Sequence, residues 1–97
     1  MMNQYLITAY DHIDTEALTR RLNVRPHHLD AAKKLKESGN FIKAGAMLNQ
    51  DGNMIGSVMM MQFESEEALN AWLQDEPYIT QKVWETVDVK PIRVADL

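Results

Sequence analysis

The chain has no cysteine among its 97 residues. That excludes a disulfide framework, a thiolate zinc site and a cysteine nucleophile, and it fits a reducing compartment, so the cytoplasm is the expected location. Proline and glycine are scarce, at three and four, which argues against low complexity and disorder. No run of about 18 apolar residues occurs, and no basic start leads into an apolar stretch, so neither a membrane span nor a signal peptide is expected. Positive charge is in deficit: ten Lys and Arg face fourteen Asp and Glu, for a formal net charge of -4. A sequence-independent grip on nucleic acid relies on neutralising phosphates, and this balance opposes it. What the chain does have is apolar content, 45% hydrophobic with seven methionines. The length fits one domain, residues 1–97, with a modest core.

Periodicity orders the elements. Gln4–Tyr10 is rich in β-branched and aromatic residues and reads as a strand. Asp14 offers a cap to a short first helix. Pro26 suits a first helical turn better than a helix interior, which predicts a second helix from Arg25 to Ser38, ended by Gly39-Asn40. Phe41–Leu48 and Met54–Phe63 flank a polar connection containing Asp51-Gly52, the mark of a β-hairpin. Ser65 with Glu66 and Glu67 opens a helix over Glu66–Gln74. Asp75-Glu76-Pro77-Tyr78 reads as a turn, and Glu85–Val94 as a last strand in which Pro91 demands an edge or a bulge. The order β-α-β-β-α-β predicts an α+β, ferredoxin-like split βαβ fold with an antiparallel sheet and both helices on one face.

The third strand bears on the other face. Ser57, Met59, Met61 and Phe63 point one way, Val58 and Met60 the other, so both faces carry large apolar groups. A second copy packed sheet to sheet with two-fold symmetry would cover the outer one, giving a homodimer; methionine as a flexible surface residue is the plainer alternative.

Three histidines occur, at positions 12, 27 and 28. His28 shares a helical stripe with Ala32 and Leu35 and so faces the sheet, whereas His27 is turned away. His28 has two readings: a hydrogen-bonded core histidine, or a general acid/base at a cleft edge oriented by a carboxylate. Glu76 or Asp75, held at a helix end by Pro77, could supply that carboxylate, and Asp11 beyond the first strand is a further candidate. Residues 20–36 hold six basic residues against the single acid Asp30; such a stretch is a solvated helix face or a lure for anionic substrates. Arg25 stands out within it, three residues before His28 and able to address the same anion. Adjacent histidines diverge on a helix and no ligand-spaced cluster exists, so no metal site is expected. Gly56-Ser57, inside a strand, marks close approach of a ligand or of another backbone.

Arg25-Pro26-His27-His28-Leu29, Gly45-Ala46, Gly56-Ser57, Phe63, Trp72, Glu76-Pro77-Tyr78 and Val87-Asp88-Val89-Lys90-Pro91, in this order and spacing, resemble the YciI-like (YCII-related) family. The resemblance spans about Gln4 to Val94. It implies a ferredoxin-like fold that dimerises through its sheets into an α+β barrel, akin to muconolactone isomerases and a dehydrochlorinase of chlorinated aromatics, in a mostly bacterial family. The family's Arg-x-x-His and Asp-Pro-Tyr/Phe motifs imply a catalytic pair, His28 with Glu76, and substrate contacts from Arg25, Asp11, Ser57 and Tyr78. This chain departs in having Glu76 where the family usually has Asp, and Gly45-Ala46 where it often has Gly-Pro. The implied activity is proton transfer on a small anionic or phenolic metabolite, by isomerisation or elimination, with no organic cofactor or metal required. A non-catalytic dimer binding a small molecule or a protein is the alternative. Nucleic acid and membrane are not expected partners.

Overall fold

A computed structural model describes residues 2–97. The elements run β1 (Asn3–Asp11), α1 (Ala17–Glu37), β2 (Phe41–Leu48), β3 (Met54–Phe63), α2 (Glu66–Asp75), α3 (Pro77–Thr80) and β4 (Trp84–Ile92). The sheet order is β2-β3-β1-β4, with every neighbouring pair antiparallel. This is the ferredoxin-like split βαβ arrangement, and the fold class read from the sequence stands. Among the described residues no helix is long and apolar enough to cross a membrane.

The core lies between the helices and the inner face of the sheet. Registers pair Ile7 with Met59 and Ala9 with Ser57, and period-two alternation sends this set to one side. Ile7, Met59, Met61 and Phe63 are buried there with Val24 of α1 and Leu69 of α2. Pro91 sits in β4, an edge strand, where a missing N–H costs no ladder bond on the open side. Gly56 is buried, and a Cβ on it would run into the Ala9 carbonyl and the Met47 side chain. The close approach expected at this glycine is therefore that of another strand.

Three expectations need correction. The two helices predicted on either side of Pro26 are one, α1, with Pro26 inside it. Pro26 is exposed, while the buried stripe Ala17, Arg21, Val24 and His28 continues unbroken beneath it. Burial of that stripe outweighs the local cost of the proline. Asp14 does not cap this helix; its carboxylate accepts from Glu16 N–H at 3.2 Å and from Arg20 Nη2 at 2.8 Å, bracing the turn before the first helical residue. The Asp75–Tyr78 turn also proves to be a boundary between two helices, since Pro77 opens the short α3.

Candidate active site

Three positions of α1 build one wall of a cleft. Arg21, Arg25 and His28 stand at i, i+4 and i+7, one stripe of the helix, and all three line a cleft of about 180 Å³. The opposite wall is β2 and β3. There the inward residues Ala44 and Ala46 are small, and Ala32 on α1 is small as well, so helix and sheet leave space between them. Ser57, Met59 and Tyr78 also line it. A larger opening of about 720 Å³ lies between β1, β4 and the start of α2, but its walls hold no histidine and no buried ion pair.

His28 is buried and its Nδ1 lies 2.5 Å from Glu76 Oε1. A carboxylate accepts, so Nδ1 carries the proton and Nε2 is the remaining nitrogen. Among the described residues Nε2 has no partner, and it is not among the fully enclosed, unsatisfied atoms, so it keeps access to solvent. The imidazole stacks on the Tyr78 ring at 4.0 Å between centroids, with planes 10° apart. Glu76 is held as firmly. It adopts the extended backbone that a following proline imposes (φ -61°, ψ 125°) and caps α3, its Oε1 also accepting from Tyr78 N–H at 3.2 Å. Asp75, the alternative carboxylate, is exposed at the end of α2. The additional methylene of Glu, relative to the Asp usual in the family, does not prevent contact with the imidazole.

Beneath this pair lies a second buried cluster. Arg21 Nη1 donates to Asp11 Oδ1 and Oδ2 at 2.8 and 3.0 Å, and Nη2 donates to Ser57 Oγ at 2.8 Å. Trp84 Nε1 donates to the same Ser57 oxygen at 3.2 Å. The Arg21 guanidinium carbon sits 4.7 Å from the centre of the Tyr78 ring. Burial pushes the Asp11 carboxyl above its usual range, and Arg21 pulls it only part of the way back. Burial likewise raises the Tyr78 phenol, against the opposing charges of Arg21 and Arg25. Arg25 itself is exposed at the cleft mouth.

The structure thus brings His28, Glu76 and Tyr78 into direct contact and sets Arg25 and Ser57 in the same cleft. Asp11 is different: it lies under the cleft on Arg21, not on the imidazole. Two members escaped the sequence reading. Arg21 sits within the basic stretch, and its place seven residues before His28 is the signal that puts it on the same helical stripe. Trp84 fell just outside the predicted last strand; a register shift between Tyr10 and Asp11 pairs Asp11 with Trp84, and this bulge turns the indole to the helix side of the sheet.

A profile of the YCII-related domain matches residues 3–93. Protein YciI of Escherichia coli O6:H1 is 39% identical over 95 residues, which cover 92% of this chain and 95% of that protein. Among solved structures, a 5-chloro-2-hydroxyhydroquinone dehydrochlorinase from Burkholderia phenoliruptrix, in complex with 2,5-dihydroxybenzoquinone, superposes with a TM-score of 0.81 at 21% identity, covering 95% of each chain. A dimeric ferredoxin-like protein from an uncultured marine organism superposes at 0.57 with 17% identity, over 99% of this chain and all (100%) of the other. The match across nearly the whole length shows that the chain belongs to the YCII-related domain family.

Proposed function

We propose that this protein is a proton-transfer enzyme acting on a small anionic or phenolic ring compound, with His28 as general base and acid. The observation that carries this reading is the 2.5 Å contact of His28 Nδ1 with buried Glu76, which leaves Nε2 free beside a cleft. In this reading His28 Nε2 takes a proton from the substrate, and Glu76 stabilises the imidazolium that forms, as the acid of a triad does. Arg25 meets the oxyanion that develops. In an isomerisation the same nitrogen returns the proton to another carbon. In an elimination the electron pair of the broken bond to hydrogen forms the new π bond, and the leaving group departs with its own pair, for a net loss of one proton and one anion such as chloride. Side chains alone supply these steps. The cleft, at about 180 Å³, suits one ring. Support for the elimination form comes from the dehydrochlorinase to which the fold is similar.

Chloride release from 5-chloro-2-hydroxyhydroquinone, measured with an ion-selective electrode, tests the reading. His28→Gln is expected to lower turnover by at least about 10²-fold, and Glu76→Gln by about 10²-fold or more through loss of the orienting charge. Turnover that survives His28→Gln unchanged overturns the assignment. Tight ring binding by a wild-type protein that turns over no ring compound would point instead to a binding protein.

The same proposal includes a homodimer. The outer face of the sheet carries Leu6 of β1 with Val58 and Met60 of β3, all only half-buried in the single chain. Solved proteins of this fold described as dimeric support a second copy as the cover.

A further inference from the structure

The cluster beneath the cleft restricts what the cleft can accept. Ser57 is 3% exposed and lines the cleft. A hydroxyl oxygen has two lone pairs and one proton. Both acceptor positions of Ser57 Oγ are taken, one by Arg21 Nη2 at 2.8 Å and the other by Trp84 Nε1 at 3.2 Å. Neither guanidinium nor indole N–H can reverse its role, because each is a donor only. The Ser57 proton is therefore left over, and among the described residues none accepts it. A buried donor with no acceptor is costly, so a group entering the cleft is favoured if it brings an acceptor to this point.

We propose that Arg21 and Trp84 fix Ser57 as a one-way hydrogen-bond donor, so that the cleft selects a ring ligand presenting a phenolate or carbonyl oxygen there and disfavours its amino counterpart. An aromatic amine offers two N–H groups and a poor lone pair, and would set donor against donor. Arg21 acts by position: its charge is matched by Asp11 at 2.8 Å, whereas Arg25 has no ion-pair partner among the described residues and supplies the open charge. Ser57 is the specificity-determining contact, with Arg21 and Trp84 as positioning residues. The inference rests on the cleft being the ligand site, as proposed above.

Calorimetric titration with para-nitrophenolate and para-nitroaniline, rings of matched size, measures the preference as a ratio of Kd values. Arg25 contributes its preference for the anion equally in wild type and in variants at Ser57 or Trp84, so that part cancels when ratios are compared. Ser57→Ala is expected to weaken nitrophenolate by about tenfold, the scale of one hydrogen bond, and to leave nitroaniline no weaker, or tighter once the opposing donor is gone. Trp84→Phe returns a lone pair to Ser57, which can then accept from an amine, so nitroaniline should bind more tightly while nitrophenolate changes little. A merely structural role for Trp84 would weaken both probes together. Folding of each variant is checked by far-ultraviolet circular dichroism, and Ser57→Ala carries the test alone if Trp84→Phe does not fold. A ratio unchanged in Ser57→Ala, with nitrophenolate still weakened by Arg25→Ala, overturns this inference and leaves the His28–Glu76 reading standing. Nitrophenolate affinity unaffected by both substitutions places the ligand elsewhere and overturns the two together.

Discussion

Tyr78 joins the two halves of the site. Its ring stacks on His28, its face meets Arg21, and its backbone N–H holds Glu76. At 1% exposure its phenol is costly to ionise, and burial raises its pKa above the ordinary value of 10.0. Below that value the phenol is protonated in both folded and unfolded chains, and the stability linked to it is fully present. As the pH rises from about 10 toward the raised folded value, the unfolded chain ionises first and that stability is lost. Urea unfolding midpoints followed from about pH 9 to 11 should therefore fall more steeply for wild type than for Tyr78→Phe, which has nothing to ionise. Parallel curves would show that Tyr78 has no such linkage. At this scale helical spacing placed His28 and Arg25 on one face and proline chemistry narrowed the orienting acid to Glu76 or Asp75, both by local rules; the family motif singled out Glu76. Arg21 and Trp84 depend on partners 36 and 27 residues from them in the chain, both at Ser57, and no local rule reports such distant pairing.

At the scale of elements, one stop signal is used twice with different residues. After α1, Asn40 N–H donates to Leu35 O at 2.9 Å and Gly39 N–H to Lys36 O at 3.2 Å, with Gly39 at φ 83°. After α3, Val83 N–H donates to Tyr78 O at 2.9 Å and Lys82 N–H to Ile79 O at 3.2 Å, with Lys82 at φ 59°. Both are Schellman motifs, which place one residue in the left-handed region. Glycine takes that conformation without strain; a lysine there costs about 1 kcal/mol or somewhat more. Lys82→Gly is accordingly expected to stabilise the fold by about 1 kcal/mol, and Gly39→Ala to destabilise it by a similar amount, both read from urea denaturation. Equal and opposite movement of the two midpoints supports a shared cause, while a destabilising Lys82→Gly would contradict it. The Gly39 stop was legible because glycine announces it. The Lys82 stop was not, and neither was α3, whose four residues are too few for a period. Local rules also divided α1 at Pro26, where burial of a long stripe decided otherwise. The hairpin, the Ser65 cap and the edge placement of Pro91 needed only local chemistry and were legible as such.

For the whole molecule, the run Met59-Met60-Met61 poses the question of what a second copy would cover. Met59 and Met61 are 1% and 0% exposed against the helices. Met60, opposite Leu6 in the register, faces the other way and is only half-buried. Around it the outer face is apolar along β1 and β3, with Leu6 and Val58, and charged on both flanks: Lys43 of β2, paired with Met60, is exposed, and in β4 Lys90 Nζ lies 3.6 Å from Asp88. An apolar centre with a polar rim is the pattern of a contact between proteins. On this proposal a lysine at position 60 would bury an unpaired charge at the middle of a two-fold contact, opposite its own copy or close to it, and the pair would repel. Sedimentation equilibrium at micromolar concentration should then show a dimer for wild type and a monomer for Met60→Lys, a loss of affinity of at least about 10²-fold. Leu22→Lys serves as the control. Leu22 is 50% exposed on α1, on the helix side of the sheet, so the same charge placed there should leave the dimer intact. A wild-type monomer, or a Met60→Lys dimer as tight as wild type, would remove the sheet face as the contact. Because the cleft is lined by α1, β2, β3 and Tyr78 of α3 in a single chain, a monomeric Met60→Lys should still bind para-nitrophenolate, which separates assembly from recognition.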